Sequence, residues 1–503
     1  MKRIHLVSPR SPRNFWDMRG TVEAVGARSL MPSPALATLV ALTPEALRGQ
    51  VEYIYTDEHL GPVDLDRPCD LAALTGFSLH GQRLKELSAG FRSRGVPVAL
   101  GGPMATSDPL GSRPLCDHLF IGEGELTWPR FLTDWLGGEA ADTYRQDSAV
   151  DLSLSPPPDW RFVRGGDHLY MTVQASRGCP NKCDFCAAQL MVGARHRVKS
   201  IDQIMEEIDA VRRAGAEVIF FSEDNFYVRP SFTRELLERI IAYNTALDSP
   251  VQFSCQASVR ITDDEQILKL LADARFAVIF LGVESLRKLC LEEVSKGHLY
   301  REDLADRIRR LSSYGLLPFI GMMVGFDHDD EHTFDEIEAF LDDTGSPLCS
   351  ISMLTAPDGT PLYERMAAAG RIAAPFTGQW HFNTNIEPLR GSVQELTARH
   401  RALFQRLYQP RAFERRTVKW LDNVSYFTDL YRGRRRSSRG RGKLGHLVRH
   451  YTLRAPLPLR LQFFRLLWRT ARQDPRLIRK AITVLTQYCH YYSFVSDKGW
   501  QAG

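Results

Sequence analysis

Between residues 166 and 356 one pattern recurs six times: a short apolar run, then a stretch with helical periodicity. The runs cover 170–175, 218–222, 252–256, 278–282, 317–324 and 350–354, and the helical stretches between them are 201–214, 232–244, 263–274, 303–314 and 332–343. Strands separated by whole helices are predicted to pair in parallel, because antiparallel neighbours need only a tight turn between them. Six such units predict an incomplete (β/α)6 barrel, which collects function at the carboxyl ends of its strands.

A second alternation occupies residues 1–140. Apolar runs at 3–7, 51–55, 71–77, 96–100 and 117–121, with a helix over 82–94, predict a doubly wound parallel sheet. Ligands of such sheets sit outside the carboxyl ends of the strands. Gly101-Gly102-Pro103 and Gly122-Glu123-Gly124 follow the fourth and fifth runs, where backbone approaching a ligand closely needs glycine. Residues 141–165, with Pro156-Pro157-Pro158, are predicted to be a linker. Residues 357–503 lose the strand signal, and 392–407 and 457–472 are predicted to be helical. The fold class is therefore α/β: a doubly wound sheet, a partial barrel, then a mostly helical extension.

No run approaches the roughly 18 apolar residues of a membrane-spanning helix. The first ten residues lack the apolar core of a secretion signal. Nine cysteines among 503 residues are too few for a disulfide framework, so a cytoplasmic protein is expected. The net charge of +4 is uneven: residues 431–480 hold sixteen Lys or Arg against one acidic residue, Asp474, which leaves the rest of the chain at −11. The tract 432–449 is Arg- and Gly-rich, and mobility is expected there.

The run SRGCPNKCDFCAAQ directly follows the first barrel strand and holds Cys179, Cys183 and Cys186 in the spacing C-x3-C-x2-C. Three thiolates on one loop can bind three irons of a 4Fe–4S cubane and leave the fourth open, whereas closed clusters and structural zinc take four protein ligands. The other reading is a zinc site completed by a distant histidine. The motif, with Phe185 before the last cysteine, resembles the signature of the radical S-adenosylmethionine (SAM) family. That resemblance implies that SAM chelates the open iron and is cleaved to a 5′-deoxyadenosyl radical that abstracts hydrogen from substrate. It implies further cofactor contacts at Asp224 and Asn225 in FFSEDNF, Gln256 and Ser258 after the third strand, Glu284 in LGVES, and Gly321 and Gly325 in GMMVGFD. No residue is assigned to catalysis itself.

The first zone, through MPSPALATLVALTP, TGFSLHGQ, LGGPMATSDP and FIGEGE, is similar to the cobalamin-binding branch of that family. The similarity implies cobalamin contacts at Ser78, His80, Gly101, Gly102, Pro103, Gly122, Glu123 and Gly124. The Asp-x-His-x-x-Gly motif that supplies a lower axial histidine is not reproduced: Asp57-Glu58-His59-Leu60-Gly61 is one residue short and follows the second strand. His59 is read as an ordinary loop histidine, and cobalamin as bound without a protein histidine.

The extension, through TAPDGTPLYERMAAAGRI, TNIEP and ELTARHRALFQRLYQPRAFERR, resembles that of a subgroup including hopanoid C-methylases. The resemblance implies a cobalamin-dependent radical SAM C-methyltransferase acting on an unactivated carbon of a hydrophobic, lipid-like, polycyclic or natural-product substrate, with an external electron donor of flavodoxin or ferredoxin type. Two alternatives stay open. One is a cyclase, cyclopropanase or ring-rearranging enzyme using the same cofactors; the other is a noncatalytic sensor or electron-transfer protein. For the basic tract the readings are a solvated surface, contact with an anionic membrane through the neighbouring LRLQFFRLLW, or RNA. No RNA-binding fold is recognisable, so no nucleic-acid partner is expected.

Overall fold

The computed structural model describes residues 1–376, 378, 381–431 and 438–496, the side chains of 438 and 439 excepted. Strands β1 (Lys2–Ser8), β2 (Val51–Asp57), β3 (Leu71–Thr75), β4 (Val98–Gly101), β5 (His118–Ile121) and β6 (Thr143–Arg145) form one parallel sheet in the order β2-β1-β3-β4-β5-β6. The order reverses between β1 and β3, which opens a crevice beyond the carboxyl edge of the sheet. The sixth strand lies inside the stretch expected to be linker. Three residues, Thr143-Tyr144-Arg145, are too few to show a period, and the pairing comes from Phe120 opposite Tyr144, whose rings stack at 5.3 Å.

The hairpin of β8 (Ser176–Arg177) and β9 (Arg197–Val198) brackets the cysteine loop. Around it, β7 (Met171–Val173), β10 (Val218–Phe221), β11 (Gln252–Ser258), β12 (Phe276–Glu284), β13 (Leu317–Val324) and β14 (Leu348–Met353) form a second parallel sheet in the order β14-β13-β12-β11-β10-β7. All six strands fall where the apolar runs lie. Every residue of β13 is buried, as a strand covered on both faces requires. The helices Ile201–Arg213, Pro230–Ala246, Glu265–Asp273, Leu304–Ser313 and Thr333–Thr344 follow in alternation.

The partial barrel is closed by the rest of the chain. Along its open edge, His400 from the helix Val393–Leu407 donates to the Ile351 carbonyl at 2.6 Å, and the Tyr408 hydroxyl donates to the Cys349 carbonyl at 2.6 Å. The last helix, Ile478–Ser496, crosses the amino ends of the strands. There Gln487 reaches the Tyr170 hydroxyl at 2.8 Å, and Lys480 donates to the Gly315 carbonyl at 2.6 Å.

Residues after β1 leave their sheet and join this closure. Asn14 caps the turn Phe15–Asp17 by accepting from the Trp16 amide at 2.8 Å, and the helix Arg19–Ala24 packs on the last helix. Phe15 stacks on His381 at 3.8 Å, and Trp16 packs between Phe280 and Phe319 of the barrel at 5.9 Å from each.

The extension also contains helices Pro361–Ala368, Pro410–Asn423, Ser438–Arg449 and Leu457–Gln473. Mobility was expected across 432–449. Residues 432–437 lie outside the described residues, but 438–449 is helical with Leu447 buried, so the glycines at 440, 442 and 445 are tolerated under tertiary packing. Among the described residues no helix is long and apolar enough to cross a membrane.

Candidate active site

The carboxyl edges of the two sheets face each other across a cavity of about 310 Å³. The first sheet contributes Gly101, Gly102, Pro103, Gly122, Glu123 and Gly124, all six named from sequence. The barrel contributes Thr172, Gln174, Arg177 and Ser222, and the helix after the cysteines (Ala188–Val192) contributes Met191 and Val192. Leu36, Leu39, Leu42, Phe120 and Trp128 make one side apolar.

Two of the glycines are dictated by backbone conformation. Gly102 has φ +90° and Gly122 φ +88°, and a Cβ on Gly122 would meet the Gln146 carbonyl oxygen at 2.3 Å. They form tight turns that hold the loops flat against the cavity, so a broad ligand can approach the backbone.

Glu123 has a role that sequence did not indicate. Its carboxylate accepts from Arg177 Nη1 and Arg197 Nη1, each at 2.8 Å, and from the Val150 amide at 2.8 Å. The other arm of Arg177 lies 2.8 Å from Glu125, an ion-pair contact off the hydrogen-bond direction. All four side chains are largely buried, at 14% exposure or less. Burial alone would raise the Glu125 carboxyl, but Arg177 outweighs it and holds the group below its ordinary range. This network ties the first domain to the hairpin that carries the cysteine loop.

The loop itself is over-determined. Gly178 has φ +85°, and a Cβ there would meet the Arg195 carbonyl at 2.3 Å, so glycine is required before Cys179. The Cys186 amide donates to the Cys183 carbonyl at 3.0 Å, and Asp184 binds Arg365 of the extension at 2.8 Å. Phe185 packs on an apolar cluster with Cys290, Val294, Met323, Phe326 and Leu362.

All three loop cysteines are free and half-buried. Burial pushes the Cys183 thiol up to about 12; Cys186, Glu284 and Cys179 add to the rise and Lys296 opposes it. Among the described residues no three His, Cys, Asp or Glu side chains are grouped as on a single metal ion. The donor set the loop offers is three thiols, which suits a cubane with one open corner, and iron would displace their protons on binding.

At the next strand ends, two of the sequence-named residues serve as ties. Asn225 Oδ1 accepts from the Ser258 amide at 3.1 Å, and Gln256 Nε2 donates to the Glu223 carbonyl at 2.8 Å. Together they lock β10 to β11. The Ser258 hydroxyl is buried without a hydrogen-bond partner, which fits a polar ligand arriving at the barrel mouth. Burial raises both Asp224 and its neighbour Glu223, the latter to about 8.

Glu284 ends β12 at φ +65°, after a register shift. Lys296, which the sequence reading missed, donates to it at 2.5 Å and to the Gly282 carbonyl at 3.1 Å. Gly321 makes room for Phe280, whose ring would lie 2.7 Å from a Cβ there. Gly325 has φ +99°, and its amide donates to Asp329 at 2.7 Å.

Ser78 and His80 do not line the cavity. His80 caps its own turn, accepting from the Phe77 amide at 3.0 Å, and burial lowers the ring to about 4. A Cβ on Gly378 would meet the Leu79 amide at 2.7 Å, so the extension crosses this turn. His59 lies beyond β2, away from the cavity. Asp57 is 3.1 Å from its Nδ1 and the Ser11 hydroxyl 3.3 Å from its Nε2.

The radical SAM superfamily model matches residues 173–341, and a domain of unknown function (DUF4070) matches 360–499. An uncharacterized methyltransferase of Synechocystis sp. is 28% identical over 82% of this chain and 77% of its own length. The hopanoid C-2 methylase of Rhodopseudomonas palustris is 25% identical over 82% of this chain and 78% of its own. In fold the chain is similar to a cobalamin-dependent S-adenosylmethionine radical enzyme, OxsB, solved with aqua-cobalamin and S-adenosylmethionine bound. The TM-score is 0.63 at 16% identity, covering 99% of this chain and 80% of that one.

Proposed function

We propose that this chain, which belongs to the radical SAM superfamily, is a cobalamin-dependent C-methyltransferase of a hydrophobic substrate. The observation that carries the reading is the shared cavity, in which the glycine turns of the first sheet face Arg177, Met191 and Val192 on either side of the three-cysteine loop, although none of the three cysteines lines it. The cluster, SAM and cobalamin supply hydrogen abstraction from an unactivated carbon and a transferable methyl group.

The chain's own residues position and protect. Cys179, Cys183 and Cys186 would hold the cluster, and Gly178 sets the direction of their loop. The Ser258 hydroxyl and the Glu284–Lys296 pair would meet the polar parts of SAM. The turns at Gly101-Gly102-Pro103 and Gly122-Glu123-Gly124 would present backbone to the corrin and its tail. Leu36, Leu39, Leu42, Met191 and Val192 keep water from a reactive intermediate. Lys182 and Arg195 are exposed on and beside the cysteine loop, where they suit an acidic flavodoxin- or ferredoxin-type electron donor.

The test needs no substrate. The full chain is reconstituted anaerobically with iron, sulfide and cobalamin, then given reductant and SAM. The expected result is bound methylcobalamin with equimolar S-adenosylhomocysteine, and 5′-deoxyadenosine that disappears in Cys183→Ala. Failure to retain cobalamin on gel filtration would overturn the cobalamin reading. Deoxyadenosine formation without S-adenosylhomocysteine would move the assignment to ring-forming chemistry.

A further inference from the structure

The helix Leu457–Gln473 is apolar on two opposite faces. One is packed: Leu459, Phe463, Leu466 and Thr470 are buried, and Phe463 stacks on Tyr451 at 4.2 Å. The other is bare: Leu457 is 65% exposed, Leu461 57%, Phe464 51% and Trp468 60%, with Leu453 just before the helix at 66%. At about 100° per residue, positions 457, 461, 464 and 468 fall within an arc of about 60°. They form one straight ridge of roughly 17 Å between the first and last of them. A surface helix ordinarily shows polar residues there.

Arginines border the ridge. Arg460 lies on one flank, donating to the Leu453 and Ala455 carbonyls. Arg465, paired with Glu414, and Arg472 lie on the other, and Arg449 and Arg454 precede the helix. Arg472 lies over the Trp468 ring at 4.2 Å. No Asp or Glu occurs anywhere from Ser438 to Gln473. A second copy of the chain would therefore bring arginine against arginine. The ridge is convex, and none of its residues lines any cavity described above. A fluid surface can mould itself to a ridge, whereas a folded protein partner would need a matching groove.

We propose that this ridge seats the protein on an anionic lipid bilayer. Leu453, Leu457, Leu461, Phe464 and Trp468 enter the headgroup–acyl boundary, and the exposed Arg449, Arg454 and Arg472 extend to lipid phosphates. Tryptophan suits that depth because its ring is apolar and its N–H is not. The inference is independent of the reaction proposed above, and its readout needs neither substrate nor turnover.

The experiment is flotation of the reconstituted full chain with vesicles of phosphatidylglycerol and phosphatidylcholine, and with vesicles of phosphatidylcholine alone. Binding to the anionic vesicles is expected, weakening with added salt as exposed charges are screened. Leu461→Ser/Phe464→Ser should bind at least about tenfold more weakly. Arg454→Gln and Arg472→Gln change only exposed polar tips, so they fold even where the ridge variant does not, and each should cost about fivefold. Brominated lipid should quench wild-type fluorescence more than that of Trp468→Phe. The proposal is overturned if wild type does not float, or if the arginine variants float like wild type. It is also overturned if light scattering shows a dimer that Leu461→Ser/Phe464→Ser dissociates, since the ridge then serves a second copy.

Discussion

Arg177→Met tests whether the two domains are held together by buried charge. The substitution keeps an unbranched side chain of similar reach but removes the cation between Glu123 and Glu125. Glu123 retains Arg197 at 2.8 Å, whereas Glu125, 2% exposed, loses the charge that offsets its burial. Breaking a buried ion pair costs about 3–5 kcal/mol. The surviving Arg197 contact puts the expected loss near the lower end, about 3 kcal/mol, or a melting temperature lower by about 3 °C for cooperative unfolding of all 503 residues.

The loss also has a sign in pH. In the wild type the Glu125 pKa is depressed, so its contribution is present above the ordinary glutamate pKa and lost as pH falls through the folded value. In the variant burial raises that pKa. The deficit then grows with pH above the ordinary glutamate value, by up to about 1.4 kcal/mol per unit, until the new pKa is passed. Denaturant unfolding of both proteins at pH 6 and pH 8, kept anaerobic, reads this directly. Arg177→Met/Glu125→Gln should recover much of the loss, because no buried charge is then left alone. A loss below about 1 kcal/mol, the same at both pH values and unchanged in the double variant, would refute the account and class the network with solvated surface pairs.

Two further outcomes are expected. Ser258→Ala removes a buried hydroxyl that has no protein partner, so folding should be unaffected; SAM affinity, followed by equilibrium dialysis, should fall about threefold to tenfold, the worth of one hydrogen bond. Glu223 is raised to about 8 by burial, so it favours folding fully only below the ordinary glutamate pKa, and that contribution is lost as pH rises through 8. Glu223→Gln should therefore flatten the pH dependence of the unfolding midpoint between pH 5 and 9, and an unchanged slope would contradict the shift.

Much of the architecture is legible in the chain because it is written in local periods. The six barrel strands appear as apolar runs since each is covered on both faces, and β13 has no exposed position to interrupt the signal. The cysteine loop is legible because one loop supplies the whole donor set. What escapes is set by tertiary contact. Thr143–Arg145 is a strand only because β5 lies beside it. Nothing in the sequence pairs Arg177 with Glu123, 54 positions away and named there only as a cobalamin contact, until the hairpin and the glycine turn bring them together. Lys296 follows β12 by a dozen residues with no motif of its own, and only the left-handed backbone at Glu284 turns the carboxylate towards it. Glycines mislead in the opposite direction: those in Ser438–Arg449 suggest a flexible tract, yet that segment packs as a helix.

The excursion of residues 15–24 onto the last helix has a consequence for how the molecule is made. The Thr21 hydroxyl donates to the Thr486 carbonyl, a partner 465 positions later, and His490 donates to the Phe15 carbonyl at 2.7 Å. During synthesis the early residues emerge long before their partners exist, so Phe15 and Trp16 must wait in water while both sheets form. The floor of the barrel is sealed only after the helix Ile478–Ser496 has been made. Pairings so distant in sequence make closure slow relative to the formation of either sheet. A ribosome-bound chain halted before residue 478 would thus hold two wound sheets and an open barrel, with an aromatic stopper not yet seated.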